Sequence, residues 1–233
     1  MLKEFTKVFL GILDGDTRWQ LWNDFCEAVS ITISQVVYSE EREKRFKEIM
    51  QKHRIEDFSK LFAITVSALD KNPEQDFLGT LFMQLELNSH WHGQFFTPYS
   101  LGAAMAKMNA FDCKEKDYIS INDPTCGSGC LLIAARNELL DKKIGSDRAF
   151  FVGQDISQIA GLMAHIQLSL LGCAGYIVIA DTLRYPIYGG MLSPKIEYGK
   201  ILYTPMYYSD VWQLRKGIEY VRRYTLHKQN AEC

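Results

Sequence analysis

The first third of the chain repeats apolar positions with the period of an α-helix. Apolar side chains recur every three or four residues between Trp19 and Val37, which predicts an amphipathic helix. The charged run from Ser39 to Arg54 mixes both signs, so it indicates a solvated helix face rather than a nucleic-acid-binding arm. Asn72-Pro73-Glu74-Gln75 then places a cap, a first-turn proline and a capping-box glutamine before a helix over 77–87. We therefore predict an all-helical N-terminal domain over residues 1–90.

From residue 95 onward the pattern changes, and short β-type runs alternate with helical segments. Strand, helix, strand, helix, strand is the order typical of a parallel sheet with right-handed crossovers. This predicts an α/β domain over residues 91–233, with a shortened parallel sheet. The predicted helices cover 99–108, 130–140 and 156–171, and the predicted strands cover 118–121, 150–153, 176–180 and 200–203.

Composition and charge narrow the function classes only slightly. Among 233 residues, 47% are hydrophobic and 23% are charged, which is ordinary for a globular protein and excludes a disordered chain. The net charge of −2 creates no strong overall field for a polyanion, although a local basic face would be enough to bind nucleic acid. The six cysteines form no CxxC pair and no apolar run reaches membrane-spanning length, so we expect reduced thiols in a cytoplasmic protein.

Acidic residues follow three of the predicted strands. Asp123, Asp155 and Asp181 stand at carboxyl ends, which is the edge where open α/β sheets bind ligands. The turn Asp123–Gly129 is glycine-rich, so its backbone can approach a ligand closely and aim a helix N-terminus at an anionic group. It lacks the third glycine of the dinucleotide fingerprint and the lysine of a P-loop. The pattern therefore indicates an adenosine ligand without a phosphate chain.

Two ordered motifs give the chain a family resemblance. Gly93-Gln94-Phe95-Phe96-Thr97-Pro98, followed by Asp123-Pro124-Thr125-Cys126-Gly127-Ser128-Gly129, resembles the adenine-N6 DNA methyltransferases, in particular the modification subunits of type I restriction systems. The segment Asp76–Phe82 resembles the helix that precedes the first motif in those subunits. The resemblance implies a Rossmann-like methyltransferase core, S-adenosylmethionine as cofactor, and DNA as partner. It implies cofactor contacts from Phe95, Thr97 and Pro98 on the methionine side, from Asp123, Cys126, Gly127 and Gly129 in the turn, from Asp155 and Ile156 at the ribose, and from Asp181 at the adenine amine.

The catalytic loop of the family has no full counterpart in these 233 residues. The family pattern is Asn/Asp-Pro-Pro-Phe/Tyr after the fourth strand, and here Thr204-Pro205-Met206-Tyr207 follows the predicted strand over 200–203. The resemblance assigns presentation of the target base to Thr204, Pro205 and Tyr207. Thr204 offers only a short hydroxyl to the adenine amine, so by analogy with losing one transition-state hydrogen bond we expect a rate loss of about 10²–10³ or more.

Several alternatives stay open from the sequence. The protein could be a DNA adenine-N6 methyltransferase of a restriction-modification or phage setting, a non-catalytic subunit or cofactor-sequestering protein, or a small-molecule or protein methyltransferase. A fourth strand at the sheet edge predicts self-association or a partner subunit covering it. No third ligand lies near His90-Trp91-His92, so we expect no metal site.

Overall fold

The structure is a computed structural model that describes residues 1–13, 15, 17–87, 96–109, 111 and 117–231, with the side chains of 223–231 excepted. Its N-terminal part is helical, as predicted. Thr17 and Gln20 form a capping box at the start of the second helix, and a short 3-10 turn, Ser34–Val36, follows that helix. The helices are α1 (Leu2–Gly11), α2 (Arg18–Ile33), α3 (Glu40–Met50), α4 (Ile55–Lys71) and α5 (Phe77–Gln84).

The predicted cap of α5 is wrong, although the helix begins where we expected. Asp76 is the N-cap, and its carboxylate accepts a hydrogen bond of 2.9 Å from the Gly79 N–H. Asn72 instead ends α4, where its side chain accepts from the Glu74 N–H. The Gln75 amide donates back to the carbonyls of Ala68 and Asn72. The polar residues of this segment therefore satisfy the end of one helix, and Asp76 alone serves the next.

The second part of the chain alternates helices and strands. Four of its strands, β1 (Ile119–Asp123), β2 (Ala149–Asp155), β3 (Ala174–Ile179) and β6 (Lys200–Tyr203), form one sheet in the order β1-β2-β3-β6. Strands β1, β2 and β3 are parallel. A small separate hairpin consists of β4 and β5. The elements are α6 (Tyr99–Met108), β1 (Ile119–Asp123), α7 (Cys130–Asp141), β2 (Ala149–Asp155), α8 (Gln158–Leu170), β3 (Ala174–Ile179), β4 (Tyr188–Gly190), β5 (Ser193–Lys195), β6 (Lys200–Tyr203), a 3-10 turn (Pro205–Tyr208) and α9 (Asp210–Ala231).

The fourth strand of the sheet runs in the opposite direction to the other three. In β6, Lys200 pairs with Ile179 and Tyr203 pairs with Tyr176, so β6 starts where β3 ends. Between them the chain forms the β4–β5 hairpin rather than the crossover helix that usually connects parallel strands. The expectation of a wholly parallel sheet is therefore wrong at β6. In consequence, the residues after Tyr203 lie where β1, β2 and β3 begin, at the opposite end of these strands from their carboxyl ends.

Two apolar clusters cover the two faces of the sheet. The larger one is continuous from the N-terminal helices to α8 and includes Trp22, Phe77 and Phe151. The smaller one includes Phe150 and Tyr176 from the sheet and Trp212 from α9. The division into domains at residue 90 stays a prediction. Among the described residues, no helix is long and apolar enough to cross a membrane.

The edge strand β6 faces the N-terminal helices. The Tyr203 carbonyl, which points away from β3, accepts a hydrogen bond of 3.0 Å from His165 Nε2 of α8. A groove of about 800 Å³ separates β6 from α2 and α3. One polar group of the predicted open edge therefore has a partner within the chain, while self-association or a partner subunit at this edge stays a prediction.

Candidate functional site

The glycine-rich turn after β1 is held by the end of the neighbouring strand. Asp155, the last residue of β2, accepts hydrogen bonds from the Gly127 N–H at 2.9 Å through Oδ2 and from the Ser157 N–H at 2.8 Å through Oδ1. The Cys126 N–H donates to the Gln154 carbonyl at 2.9 Å. The end of β2 thus fixes the turn, from which α7 starts at Cys130.

Two glycines of the turn have backbone conformations and neighbours that exclude a side chain. Gly127 has φ +55°, and a Cβ at this position would lie 3.0 Å from the Phe96 ring. Gly129 has φ +92°, and its Cβ would lie 3.3 Å from the Cα of Ala164 in α8. L-residues with a side chain adopt positive φ only at a cost in free energy. The turn therefore requires glycine at both positions.

A cavity of about 240 Å³ lies beside this turn, and three of the four predicted cofactor residues of the turn line it: Asp123, Cys126 and Gly127. Thr97 of the first motif and Asp155 also line it. Five further residues line the cavity that the sequence analysis did not assign to the cofactor. Three of them lie within the two motifs and two follow the second motif directly, so their place in the motifs was the signal that could have found them. These five residues are Phe96, Thr125, Ser128, Cys130 and Leu131.

Asp123 lines the cavity, and one of its carboxylate oxygens has no hydrogen-bond partner in the described residues. Its Oδ1 accepts from the Thr125 N–H at 3.1 Å, whereas its Oδ2 is buried and has no hydrogen-bond partner in the described part of the chain. Burial raises the pKa of the Asp123 carboxyl, the Thr125 N–H lowers it in part, and the charge of Asp155 raises it further. A buried, unsatisfied acceptor is costly, so this atom suits a ligand that brings a donor.

The cavity fits S-adenosylmethionine by the chemistry of its groups. That cofactor carries an ammonium group and ribose hydroxyls, and each of these is a hydrogen-bond donor of the kind that the Asp123 Oδ2 lacks. The Asp155 carboxylate accepts two backbone hydrogen bonds and has lone pairs left for a further donor. Burial raises the pKa of the Cys126 thiol well above its usual value and that of Cys130 to about 12, so both stay protonated and act as small apolar walls.

The remaining predicted cofactor residues are placed less directly. Pro98 and Gly129 do not line the cavity, and Phe95 lies outside the described residues. Ile156 is exposed. The Asp181 carboxylate accepts from the N–H groups of Leu183 and Arg184, so it shapes its own turn. That turn does touch the glycine-rich one, because Thr182 Oγ1 donates to the Pro124 carbonyl at 2.6 Å.

The tetrapeptide Thr204–Tyr207 does not line this cavity, and the assignment of the target base to Thr204, Pro205 and Tyr207 stays a prediction. Thr204 is buried, and its hydroxyl bonds the N–H and carbonyl of Gly175 at the start of β3. Tyr207 is also buried, and its hydroxyl donates to the Leu192 carbonyl at 2.7 Å. Pro205 is the first residue of the 3-10 turn, which also includes Tyr207. The antiparallel direction of β6 carries all three residues to the opposite edge of the sheet.

Metal binding has no support in the described residues. No group of three or more His, Cys, Asp or Glu side chains there could hold a metal ion. The segment His90-Trp91-His92 lies outside the residues that the structure describes.

Comparisons with known proteins agree with the motifs. A family model described as N-6 DNA Methylase matches residues 79–233, which is more than half of the chain. This match confirms the resemblance to adenine-N6 DNA methyltransferases, and with it S-adenosylmethionine as the cofactor. No curated protein matches the chain.

One of the solved structures similar to this chain matches it over part of its length. It is a candidate class I S-adenosylmethionine-dependent methyltransferase from Listeria monocytogenes, with 18% identity and a TM-score of 0.45. The alignment covers 78% of this chain and 54% of that one, so the chain spans about half the length of that protein.

Proposed function

Because the chain belongs to the N-6 DNA methylase family, we propose that the cavity beside Asp123 binds S-adenosylmethionine as part of a DNA adenine-N6 methyltransferase. The observation that carries the proposal is the buried Oδ2 of Asp123, which lacks a hydrogen-bond partner in the described residues, in a residue that lines the cavity together with the glycine-rich turn. A donor of the cofactor would satisfy this atom. The methyl group would then be available at the carboxyl edge of β1 and β2.

The likeness to type I modification subunits supports DNA as the substrate and a restriction-modification or phage setting. The lack of a CxxC pair in the sequence supports a reducing, cytoplasmic location. Both are part of the proposal. The slightly negative net charge supplies no general attraction to DNA, so binding would depend on a local surface or on a partner.

A second candidate is a non-catalytic subunit that binds the cofactor without presenting a base. It is favoured by the burial of Thr204 and Tyr207 at the opposite edge of the sheet, since neither hydroxyl faces the cavity. In this case the base-presenting loop would come from outside residues 1–233. The candidates share the cofactor site and differ only in methyl transfer.

Cofactor binding is tested by calorimetric titration of the chain and of Asp123→Asn with S-adenosylmethionine. Asparagine keeps the shape of the side chain. If its amide oxygen still accepts from the Thr125 N–H, its amide nitrogen takes the place of Asp123 Oδ2, so a donor replaces the free acceptor. We expect the dissociation constant to rise by about tenfold or more, the cost of one mismatched buried hydrogen bond. Asp141→Asn, at an exposed position in α7, is the matched control. A folded wild-type chain that binds no cofactor would overturn the proposal.

Methyl transfer separates the two candidates. The chain is incubated with duplex DNA that contains adenine and with cofactor labelled on its methyl group. Label in DNA supports the methyltransferase, and label that stays on the cofactor while binding is retained supports the non-catalytic subunit.

A further inference from the structure

A carboxylate of the N-terminal helices reaches the inner side of the glycine-rich turn. Asp76 is 3% exposed, and its Oδ2 accepts a hydrogen bond from the Ser128 hydroxyl, 52 residues later in the chain. Its Oδ1 accepts from the Gly79 N–H at 2.9 Å and from Gln167 Nε2 at 2.8 Å. One side chain thus joins α5, α8 and the turn.

Gln167 closes this network with both ends of its amide. Its Nε2 also donates to the Ser128 carbonyl at 2.9 Å, and its Oε1 accepts from the Leu78 N–H at 3.0 Å. Gln167 is fully buried and Ser128 is 1% exposed. The hydroxyl and the carbonyl of Ser128 are therefore both held from outside the turn.

Gly79 makes the close approach of these groups possible. A Cβ at this position would lie 2.1 Å from Asp76 Oδ2 and 2.5 Å from Ser128 Oγ. The requirement is for space, since this glycine is not among those with a positive φ. The spacing Asp76-x-x-Gly79 thus serves the contact with Ser128 as well as the capping of α5.

This arrangement costs free energy that a simple helix cap would not. Burial raises the pKa of the Asp76 carboxyl, and the hydrogen bonds from Ser128, Gln167 and Gly79 offset this only in part. A serine or asparagine could cap α5 without burying a charge. The carboxylate is therefore better explained by its contact with the turn than by the start of the helix.

We propose that Asp76 is a positioning residue that holds Ser128, and through it the glycine-rich turn, in the shape that binds the cofactor. Ser128 lines the cavity between Gly127 and Gly129, so a shift of its backbone moves both glycines. The N-terminal helices then set cofactor affinity without touching the cofactor. This inference rests on the proposed function of the cavity.

The test compares Asp76→Asn and Ser128→Ala with Asp24→Asn as a matched control. Asp24 is a second largely buried carboxylate of the N-terminal helices, at 8% exposure, and its partners in the described residues, His53 and Arg45, do not belong to the turn. Affinity for S-adenosylmethionine is measured by calorimetry on folded protein. We expect the dissociation constant to rise about tenfold for each of the first two variants, because Asp76→Asn replaces the charged partner of Ser128 by a neutral amide and Ser128→Ala removes the hydroxyl. The double variant should bind no more weakly than the weaker of the two single variants, because both substitutions act on the same contact between Asp76 and Ser128.

A second readout does not need the cofactor. Hydrogen exchange of the 123–129 amides in the chain without added cofactor should quicken in Asp76→Asn and Ser128→Ala, and stay unchanged in Asp24→Asn. Wild-type affinity and exchange in both test variants would overturn the positioning role. Faster exchange at the turn in a chain whose wild type binds no cofactor would support the positioning role and overturn the proposed function instead.

Discussion

Asp155 accepts a hydrogen bond of 2.9 Å from the Gly127 N–H, so the end of β2 fixes the turn that follows β1. The two residues are 28 positions apart in the sequence. Because β1 and β2 are parallel neighbours, their carboxyl ends meet at one edge of the sheet, and the carboxylate reaches the turn directly. The same residue that we expect at the ribose thus also shapes the turn.

The first prediction concerns this contact. Asp155→Ala should weaken S-adenosylmethionine binding by about 1–3 kcal/mol, because both a ligand acceptor and the anchor of Gly127 are lost. Calorimetric titration measures the change. Asp141→Ala, at the exposed end of α7, should bind as the wild type does. Equal affinities for the two variants would contradict both roles of Asp155.

The second prediction separates backbone strain from crowding at the turn. Gly127→Ala should lower the free energy of unfolding by about 1–2 kcal/mol, the cost of the left-handed conformation, and should also weaken cofactor binding because its Cβ meets Phe96. Gly172→Ala is the matched control, since Gly172 has φ +70° but open space around its Cβ position. It should lose similar stability and keep wild-type affinity. Loss of affinity in both variants would show that strain alone is responsible.

The third prediction uses the pH dependence of stability. His165 is fully buried, with the Ser30 hydroxyl 2.9 Å from its Nδ1 and the Tyr203 carbonyl 3.0 Å from its Nε2. Because a carbonyl can only accept, Nε2 carries the proton of the neutral ring. Burial lowers the pKa of His165 to about 4, and the charge of Arg42 contributes in the same direction. An unfolded histidine titrates near 6.5. The unfolded chain therefore binds a proton between these values that the folded chain does not.

In consequence, the free energy of unfolding should fall as the pH falls from about 6.5 to about 4, by about 3 kcal/mol in total from this group. Urea unfolding at a series of pH values measures it. His165→Gln removes the titrating group, so its curve should be flatter than that of the wild type across this window. Parallel curves for the two proteins would contradict the assignment.

The fourth prediction concerns the tetrapeptide after β6. Tyr207→Phe should lower the free energy of unfolding by about 1–3 kcal/mol, because the buried Leu192 carbonyl loses its donor. It should leave S-adenosylmethionine affinity unchanged, since Tyr207 lies at the opposite edge of the sheet from the cavity. Chemical unfolding and calorimetry on the same sample test both parts. A weaker affinity for S-adenosylmethionine with unchanged stability would contradict this prediction and indicate that Tyr207 contributes to the cofactor site.

Most elements of the fold could be predicted because their patterns are local. The periodicity of α2, the glycine-rich turn after β1 and the apolar runs of β2 and β3 each determine structure within a few neighbours. The direction of β6 could not be predicted in this way, because a strand of four residues pairs equally well either way and the connecting segment decides. The local pattern of this segment did not predict a hairpin.

The site was predictable where its residues are contiguous. Asp123 and Gly127 lie in one motif, and Asp155 follows a recognisable strand. The contact of Asp76 with Ser128 joins residues 52 positions apart, which spacing alone does not reveal. Local capping rules favoured Asn72 and Gln75 instead, although tertiary packing assigns the cap to Asp76.

The most direct test of the account is a crystal structure of the chain grown with S-adenosylhomocysteine, the demethylated form of the cofactor. We predict that the ligand occupies the cavity beside Gly127 and places a donor about 3 Å from Asp123 Oδ2. An Asp123 Oδ2 that still lacks a partner, or a ligand bound in the groove between β6 and the N-terminal helices, would contradict it.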